Sequence, residues 1–301
     1  MGNRGRRVVR PPVTPDHGLT GAGQGMSTFD YRRPQSLGEM AELLRRDDAV
    51  LLAGGTDLLV AIRRHKVRPA LVVDLKSVAE IGNQIEADDR RLRIGGRVVM
   101  RQLTGNEHVN SHFPSLGVAA SVVGSVQIRN RATLAGNLCN ASPAADTAPA
   151  LLAYAATVTI SGPDGSRTLP VREFFVGPGS TVLRPGEIVT EVELPFPTEK
   201  VGSGFARVTR RKGVDLASVN LACALERSGR ARFGFGAVGP TPLVAETTLD
   251  ELAGDDGWDR LLSVTSPISD VRAGAEYRRA MLQVHSRRAL RAARDQLEAA
   301  R

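Results

Sequence analysis

The first third of the chain alternates short apolar runs with helical spacings. Ser36 and Glu39 form the SxxE pattern of a helix start, and Leu37, Ala41 and Leu44 then share one face, so a helix is expected over 37–46. Residues 50–53 read as a strand, 58–64 as a helix and 70–74 as a second strand, a local β-α-β order. Asp88-Asp89-Arg90 divides 84–87 from 91–94, and Pro163-Asp164-Gly165 divides 157–161 from 167–171, so each pair reads as a hairpin. Between 187 and 194 the alternation places Ile188, Thr190, Val192 and Leu194 on one side of a strand that Pro195 and Pro197 stop.

Residues 195–204 hold two prolines, two glycines and two charges, which sets a domain boundary there: a first domain over 26–199 and a second over 200–301. Strand-like runs follow at 204–209, 217–226 and 231–238, with Ser228-Gly229 turning the last two into an antiparallel pair. Helices are expected at 244–253 and 275–298. In the last, Tyr277, Met281 and Val284 mark the apolar stripe, and Arg278, Arg279, Arg287 and Arg288 face water. The expected class is α+β, and the second domain is expected to hold a three-stranded antiparallel sheet with helices.

At 301 residues and 42% apolar, the chain is long enough for two packed domains, and no apolar run is long enough to span a bilayer. Residues 1–25, rich in Gly, Pro and Arg, read as a disordered basic extension or an over-long reading frame, with Met26 opening the structured part. No apolar segment follows Arg6-Arg7, as an export signal would need, so a cytoplasmic protein is expected. The net charge of +8 raises the question of nucleic acid. Four arginines lie in the extension and only 4% of residues are aromatic, so no nucleic-acid partner is expected. Cys139 and Cys223 are the only cysteines; an iron–sulfur cluster needs about four ligands, so this chain holds none.

Two stretches carry candidate chemistry. In "LLAGGTDLL" (51–59), Gly54 and Gly55 let the backbone turn with positive φ and approach a ligand without a Cβ in the way. Thr56 adds a hydroxyl, and the helix expected near Asp57 directs free N–H groups at the same spot, which suits diphosphate oxygens. The pair matches neither GxGxxG nor the P-loop, and by itself it also reads as a plain tight turn. In "VGSVQIRNRATLAGNLCNASPAAD" (123–146), small and polar residues replace core formers, and a structureless loop of this length reads as functional. Arg129 and Arg131 add charge there, and Asp146 can accept hydrogen bonds from a ribose or a base.

These stretches, with "FDYRRPQSL" (29–37), "RKGVDLASV" (211–219) and "SDVRAGAEYRRAM" (269–281), resemble the flavin-binding subunit of the molybdenum hydroxylases: the xanthine dehydrogenase family and the carbon monoxide dehydrogenase medium subunit. The resemblance covers nearly everything after Met26. It implies a flavin domain of the vanillyl-alcohol-oxidase type, two α+β subdomains with non-covalent FAD between them, and a smaller α+β domain after it. On it, Ala53, Gly54, Gly55, Thr56 and Asp57 wrap the FAD diphosphate, and Thr133, Ala135, Gly136 and Asn137 form a second diphosphate loop. Asp146 lies near the ribose, and Ile188 packs near the adenine or the flavin. Relatives carry glycine where Ala135 stands, an aromatic residue in place of Val123, and lysine near the flavin in place of Arg207.

The implied function is electron transfer, with no residue of this chain acting as nucleophile or base and no metal held. The resemblance supplies partners: a large molybdopterin subunit that chooses the substrate and a small 2Fe–2S subunit, in a heterotrimer or a dimer of heterotrimers. A bulky side chain at Gly55 is expected to empty the site. Two other readings stay open on the residues: a self-sufficient flavin oxidase, which would call for a flavin-linking histidine such as His65, and an interaction protein without cofactor.

Overall fold

A computed structural model describes residues 28–299, and the expectation for residues 1–25 lies outside them. The first unit is small and parallel. It comprises β1 (Asp30–Arg32), α1 (Leu37–Leu43), β2 (Ala49–Leu52), α2 (Leu58–Arg63) and β3 (Leu71–Asp74), in the strand order β1-β3-β2. Ser36 caps α1 by accepting from the Glu39 amide, while Glu39 reaches back to the amide of Gln35. The β-α-β order places β2 and β3 side by side and parallel, and sends the chain from β2 into α2 through the glycine pair. The Tyr31 hydroxyl donates to the buried Asp74 and ties β1 to the end of β3.

The second unit wraps helices on one face of an antiparallel sheet. Its elements are β4 (Ile85–Ala87), β5 (Arg91–Gly95), α3 (Met100–Gly105), α4 (Glu107–His112), α5 (Pro114–Ser121), α6 (Val126–Arg129), α7 (Leu134–Cys139) and α8 (Thr147–Ala153). β6 (Thr157–Gly162), β7 (Gly165–Pro170), the short pair β8 (Phe175–Gly177) and β9 (Ser180–Thr181), and β10 (Ile188–Pro195) follow. The sheet order is β4-β5-β10-β6-β7, and both hairpins pair as the turn residues predict. Leu92, Ile94, Val158, Ile160 and Val192 point inward to a core shared with Leu116, Leu134 and Leu151 of the helices.

Two expectations fail here. Residues 123–146 are not structureless, because α6 and α7 lie within them and α8 follows directly. In β10 the pairing register with β6 shifts between Val189 and Glu191, a bulge that breaks the alternation. An extra residue in a strand exchanges the two faces beyond it. Val189 therefore joins Val192 and Leu194 in the main core, and Ile188 packs with Met40, Leu71 and Val73 under the first unit.

The third unit has four antiparallel strands rather than three: β11 (Val201–Val208), β12 (Val219–Glu226), β13 (Arg230–Gly236) and β14 (Leu243–Thr248), paired in that order. The start of the helix expected at 244–253 is β14, and the helix proper, α9 (Leu249–Ala253), begins only after Thr248. There Thr248 and Glu251 form a capping box. α10 (Gly257–Leu262) and the long α11 (Ala275–Glu298) complete it.

The buried stripe of α11 is displaced by one residue from the expected one. Leu282, Ala289, Leu290 and Ala293 face the sheet, Tyr277 and Val284 are exposed, and Arg278, expected in water, is 3% exposed. One face of this sheet packs on α11, and the other meets α8 and α5, so Ala222 and Ala224 enter the core of the second unit.

Candidate functional site

The three units meet around a cleft of about 830 Å³. One wall is the chain leaving β2, residues 53–57, with the start of α2. A second is formed by α7 and its approach, with Gly96 and Val189. The third comes from β11 and the turn after it, Arg207 to Leu216, with Arg272. This size is that of a site for a drug-sized or larger organic ligand.

The glycine pair divides its labour. Gly55 has φ +76, so it supplies the left-handed turn. Gly54 supplies closeness: a Cβ built on it would stand 2.1 Å from the Arg131 carbonyl oxygen and 3.1 Å from the Ala132 Cα. The first loop thus lies directly against the segment that leads into α7. Among the described residues, the amides of Gly54, Gly55, Thr56 and Asp57 donate to no protein acceptor. In the facing segment the Thr133 hydroxyl caps α7 by accepting from the Gly136 amide, while the Ala135 amide has no acceptor. Bare, convergent N–H groups of this kind suit phosphate oxygens. Ala135 sits in the first turn of α7, is absent from the residues with positive φ, and packs in the core, so this site accommodates a Cβ where the resemblance leads one to expect glycine.

Deeper in, charge is placed by a network between units. Arg207 of β11 donates from Nε to Asp146 Oδ1 at 3.0 Å, and from its terminal nitrogen to the Asp215 carbonyl. Asn220 of β12, fully buried, donates to the same Asp146 oxygen at 2.8 Å and also reaches the carbonyls of Ala144 and Ala145. Burial pushes the Asp146 carboxyl up from its ordinary range, opposed by the Arg207 charge and the two hydrogen bonds. Asp215 Oδ2 is buried in the cleft wall with no hydrogen-bond donor among the described residues.

Of the twelve expected site residues, eleven line the cleft: Ala53, Gly54, Gly55, Thr56, Asp57, Thr133, Ala135, Gly136, Asn137, Asp146 and Arg207. Ile188 does not. The bulge turns it into the neighbouring core and presents Val189 instead, a change no period-two reading shows. Arg129 is tied to the carbonyls of Val123 and Gly124, and neither it nor Arg131 lines the cleft. The arginines that do are Arg207, Arg210, Arg211 and Arg272. Val123 lines the cleft as expected. His65, two residues after α2, has φ 54 and is not among the residues that line the cleft. The two cysteines are free, Cys139 at the cleft and Cys223 in the core of the third unit.

Backbone donors gathered from two touching loops, above a cleft walled by small residues and arginines, are those of an α+β protein suited to a ligand that carries phosphate. Comparison with known proteins gives the family. The chain belongs to the FAD-binding subunits of molybdopterin dehydrogenases: the family described as "FAD binding domain in molybdopterin dehydrogenase" matches residues 27–197, more than half of the chain. "CO dehydrogenase flavoprotein C-terminal domain" matches residues 205–293.

The xanthine dehydrogenase FAD-binding subunit of Escherichia coli O157:H7 is 32% identical over 279 residues, covering 86% of this chain and 94% of that protein. The carbon monoxide dehydrogenase medium chain of Afipia carboxidovorans is 31% identical over 282 residues, covering 89% and 97%. Among solved structures, reconstituted CO dehydrogenase from Oligotropha carboxidovorans matches with a TM-score of 0.83 at 29% identity, covering 90% of this chain and 99% of that one. FAD is accordingly the cofactor, and the protein is a subunit of an FAD-dependent oxidoreductase of the molybdenum hydroxylase family. No helix among the described residues is long and apolar enough to cross a membrane.

Proposed function

We propose that this chain is the electron-transfer subunit of a cytoplasmic molybdenum hydroxylase. It takes electrons from the iron–sulfur clusters of a small subunit and passes them to an external acceptor, while a large molybdopterin subunit oxidises the substrate. The observation that carries the reading is the cleft itself, with its unpartnered amides on two touching loops, in a chain whose two parts both match this family.

The amides of Gly54 to Asp57 and of Ala135 would hold the FAD diphosphate, without a covalent link. When bound, FAD supplies the redox chemistry, and the protein supplies binding, orientation and charge. Thr133 and Asn137 fix the second loop, the former through the cap of α7 and the latter by accepting from Thr147 at 2.7 Å. Arg207 sets a fixed positive charge in the wall, and Asp146 balances part of it. Domains over 26–199 and 200–301 fit this division, since the cleft draws one wall from the second domain. On this reading the assembly is a heterotrimer or a dimer of heterotrimers; what supports it is that the relatives are named as one subunit or chain of a larger enzyme.

The test is co-expression with the large and small partner subunits. The purified complex should be yellow, and anaerobic substrate should bleach its flavin band only when the small subunit is present. Bleaching without that subunit, or a colourless complex, would contradict the proposal.

A further inference from the structure

Arg278 lies in the first turn of α11, and its guanidinium is almost wholly buried although arginine remains charged in proteins. A buried cation persists only where its donors are met. Here Nη1 donates to the carbonyls of Ser218 at 2.9 Å and Ala237 at 2.8 Å, Nη2 to Asp270 Oδ1 at 2.7 Å, and Nε to the Ala273 carbonyl at 3.5 Å. Arg278 itself does not line the cleft.

Each of these acceptors leads to the cofactor cleft. Ala237 holds φ +61, a left-handed conformation costly for a residue with a Cβ. While its carbonyl accepts from Arg278, its amide donates to the Pro143 carbonyl at 2.7 Å, three positions before Asp146. Ser218 opens the segment that carries Asn220, which holds Asp146 and the carbonyls before it. Asp270 Oδ1 also accepts from the amides of Arg272 and Ala273, at 2.8 and 3.2 Å, and so shapes the turn that brings Arg272 to the cleft. The Val271 carbonyl in that turn accepts from Arg210, another cleft arginine.

We infer that Arg278 is a positioning residue for the FAD site. It fixes, through the Ala237 peptide and through Asp270, the two turns that carry Asp146 and Arg272 into the cleft wall. The inference rests on the reading of this cleft as the FAD site. Arginine is required because its planar fork reaches acceptors on three segments at once, which a lysine ammonium on a single stem does not reproduce.

The experiment compares the full chain with R278M, R278K and L290A, stripped of flavin and titrated with FAD well below their melting temperatures. Leu290→Ala removes buried packing from the same helix, away from the cleft, and serves as the purely structural control. R278M should bind FAD about tenfold more weakly than wild type, the size that loss of a supporting partner has in other preorganised sites. R278K should lie between the two, and L290A should melt earlier yet bind as wild type does.

An R278M protein that binds FAD as tightly as L290A would overturn the inference. If R278M does not fold, R278K decides: affinity equal to that of L290A sinks the inference, and a several-fold loss supports it. Wild-type chain that takes up no FAD, alone or in the co-expressed complex, would instead remove the reading of the cleft, and the inference with it.

Discussion

Gly54→Ala should purify without stoichiometric FAD. The added methyl would stand 2.1 Å from the Arg131 carbonyl oxygen and 2.7 Å from its carbon, both backbone atoms with no rotamer to yield. The two loops must therefore separate by about an ångström, a misplacement that costs on the order of 100-fold in a preorganised site. The accompanying overpacking should lower stability by about 1–3 kcal/mol.

Gly55→Ala is the informative contrast. Its Cβ meets only the Leu52 and Leu59 side chains, at 3.0 and 3.1 Å, and its cost is the left-handed φ, about 1–2 kcal/mol of strain. FAD affinity should fall much further in Gly54→Ala than in Gly55→Ala, as read by flavin retention and by titration of the stripped protein. The pattern in the sequence points to Gly55 as the sensitive position; the contact with Arg131 moves it to Gly54.

Arg207→Met should be the most destabilising single change in the cleft wall. The side chains of Arg207 and Asp146 are 13% and 9% exposed, so removing the cation leaves a nearly buried carboxylate with only Asn220 for a partner. Breaking a buried pair from one side costs about 3–5 kcal/mol. Asp146→Asn in the same background should recover part of that loss, because the uncompensated charge is then gone.

The pH dependence has a definite sign. Burial already holds the Asp146 carboxyl above its ordinary range, and without Arg207 it rises further. A carboxyl raised in the folded state binds a proton there that the unfolded chain releases, so it stabilises at low pH and that stability is lost as pH rises through the folded value. The deficit of Arg207→Met relative to wild type should therefore shrink as pH falls from about 7 to about 5, in denaturant titrations at each pH. A deficit independent of pH would mean that Asp146 does not carry the cost.

Local chemistry made much of the fold legible. The two hairpins, the β-α-β order of the first unit and the turn at Gly229 follow from alternation and turn residues that act within a few positions. The misreadings arise where tertiary partners outweigh pattern. The segment 243–248 pairs with β13, and the capping box at Thr248 and Glu251 marks where the helix begins, not its middle. Arg278 read as water-facing because it is charged, and that displaced the stripe of α11 by one residue; two of its acceptors, the Ala237 and Ser218 carbonyls, lie 41 and 60 positions away.

The cleft lining was legible in the contiguous runs 53–57 and 133–137, and at Asp146 and Arg207 through the family resemblance. Arg210, Arg211 and Arg272, which the third unit adds to the wall, were not foreseen. Asn220 left one signal: an amide inside the apolar run VNLACAL must find a partner when buried, although nothing in the run names Asp146 as that partner.

In the proposed site the amides of Gly54 to Asp57 and of Ala135, which the protein itself leaves unpaired, hold the FAD diphosphate. Hydrogen exchange tests it most directly, comparing the flavin-stripped chain with the same chain carrying one FAD, peptide by peptide. Exchange should slow on FAD binding at Gly54 to Asp57 and at Ala135, more than in the surrounding segments. Stoichiometric FAD with unchanged exchange at both segments would contradict it.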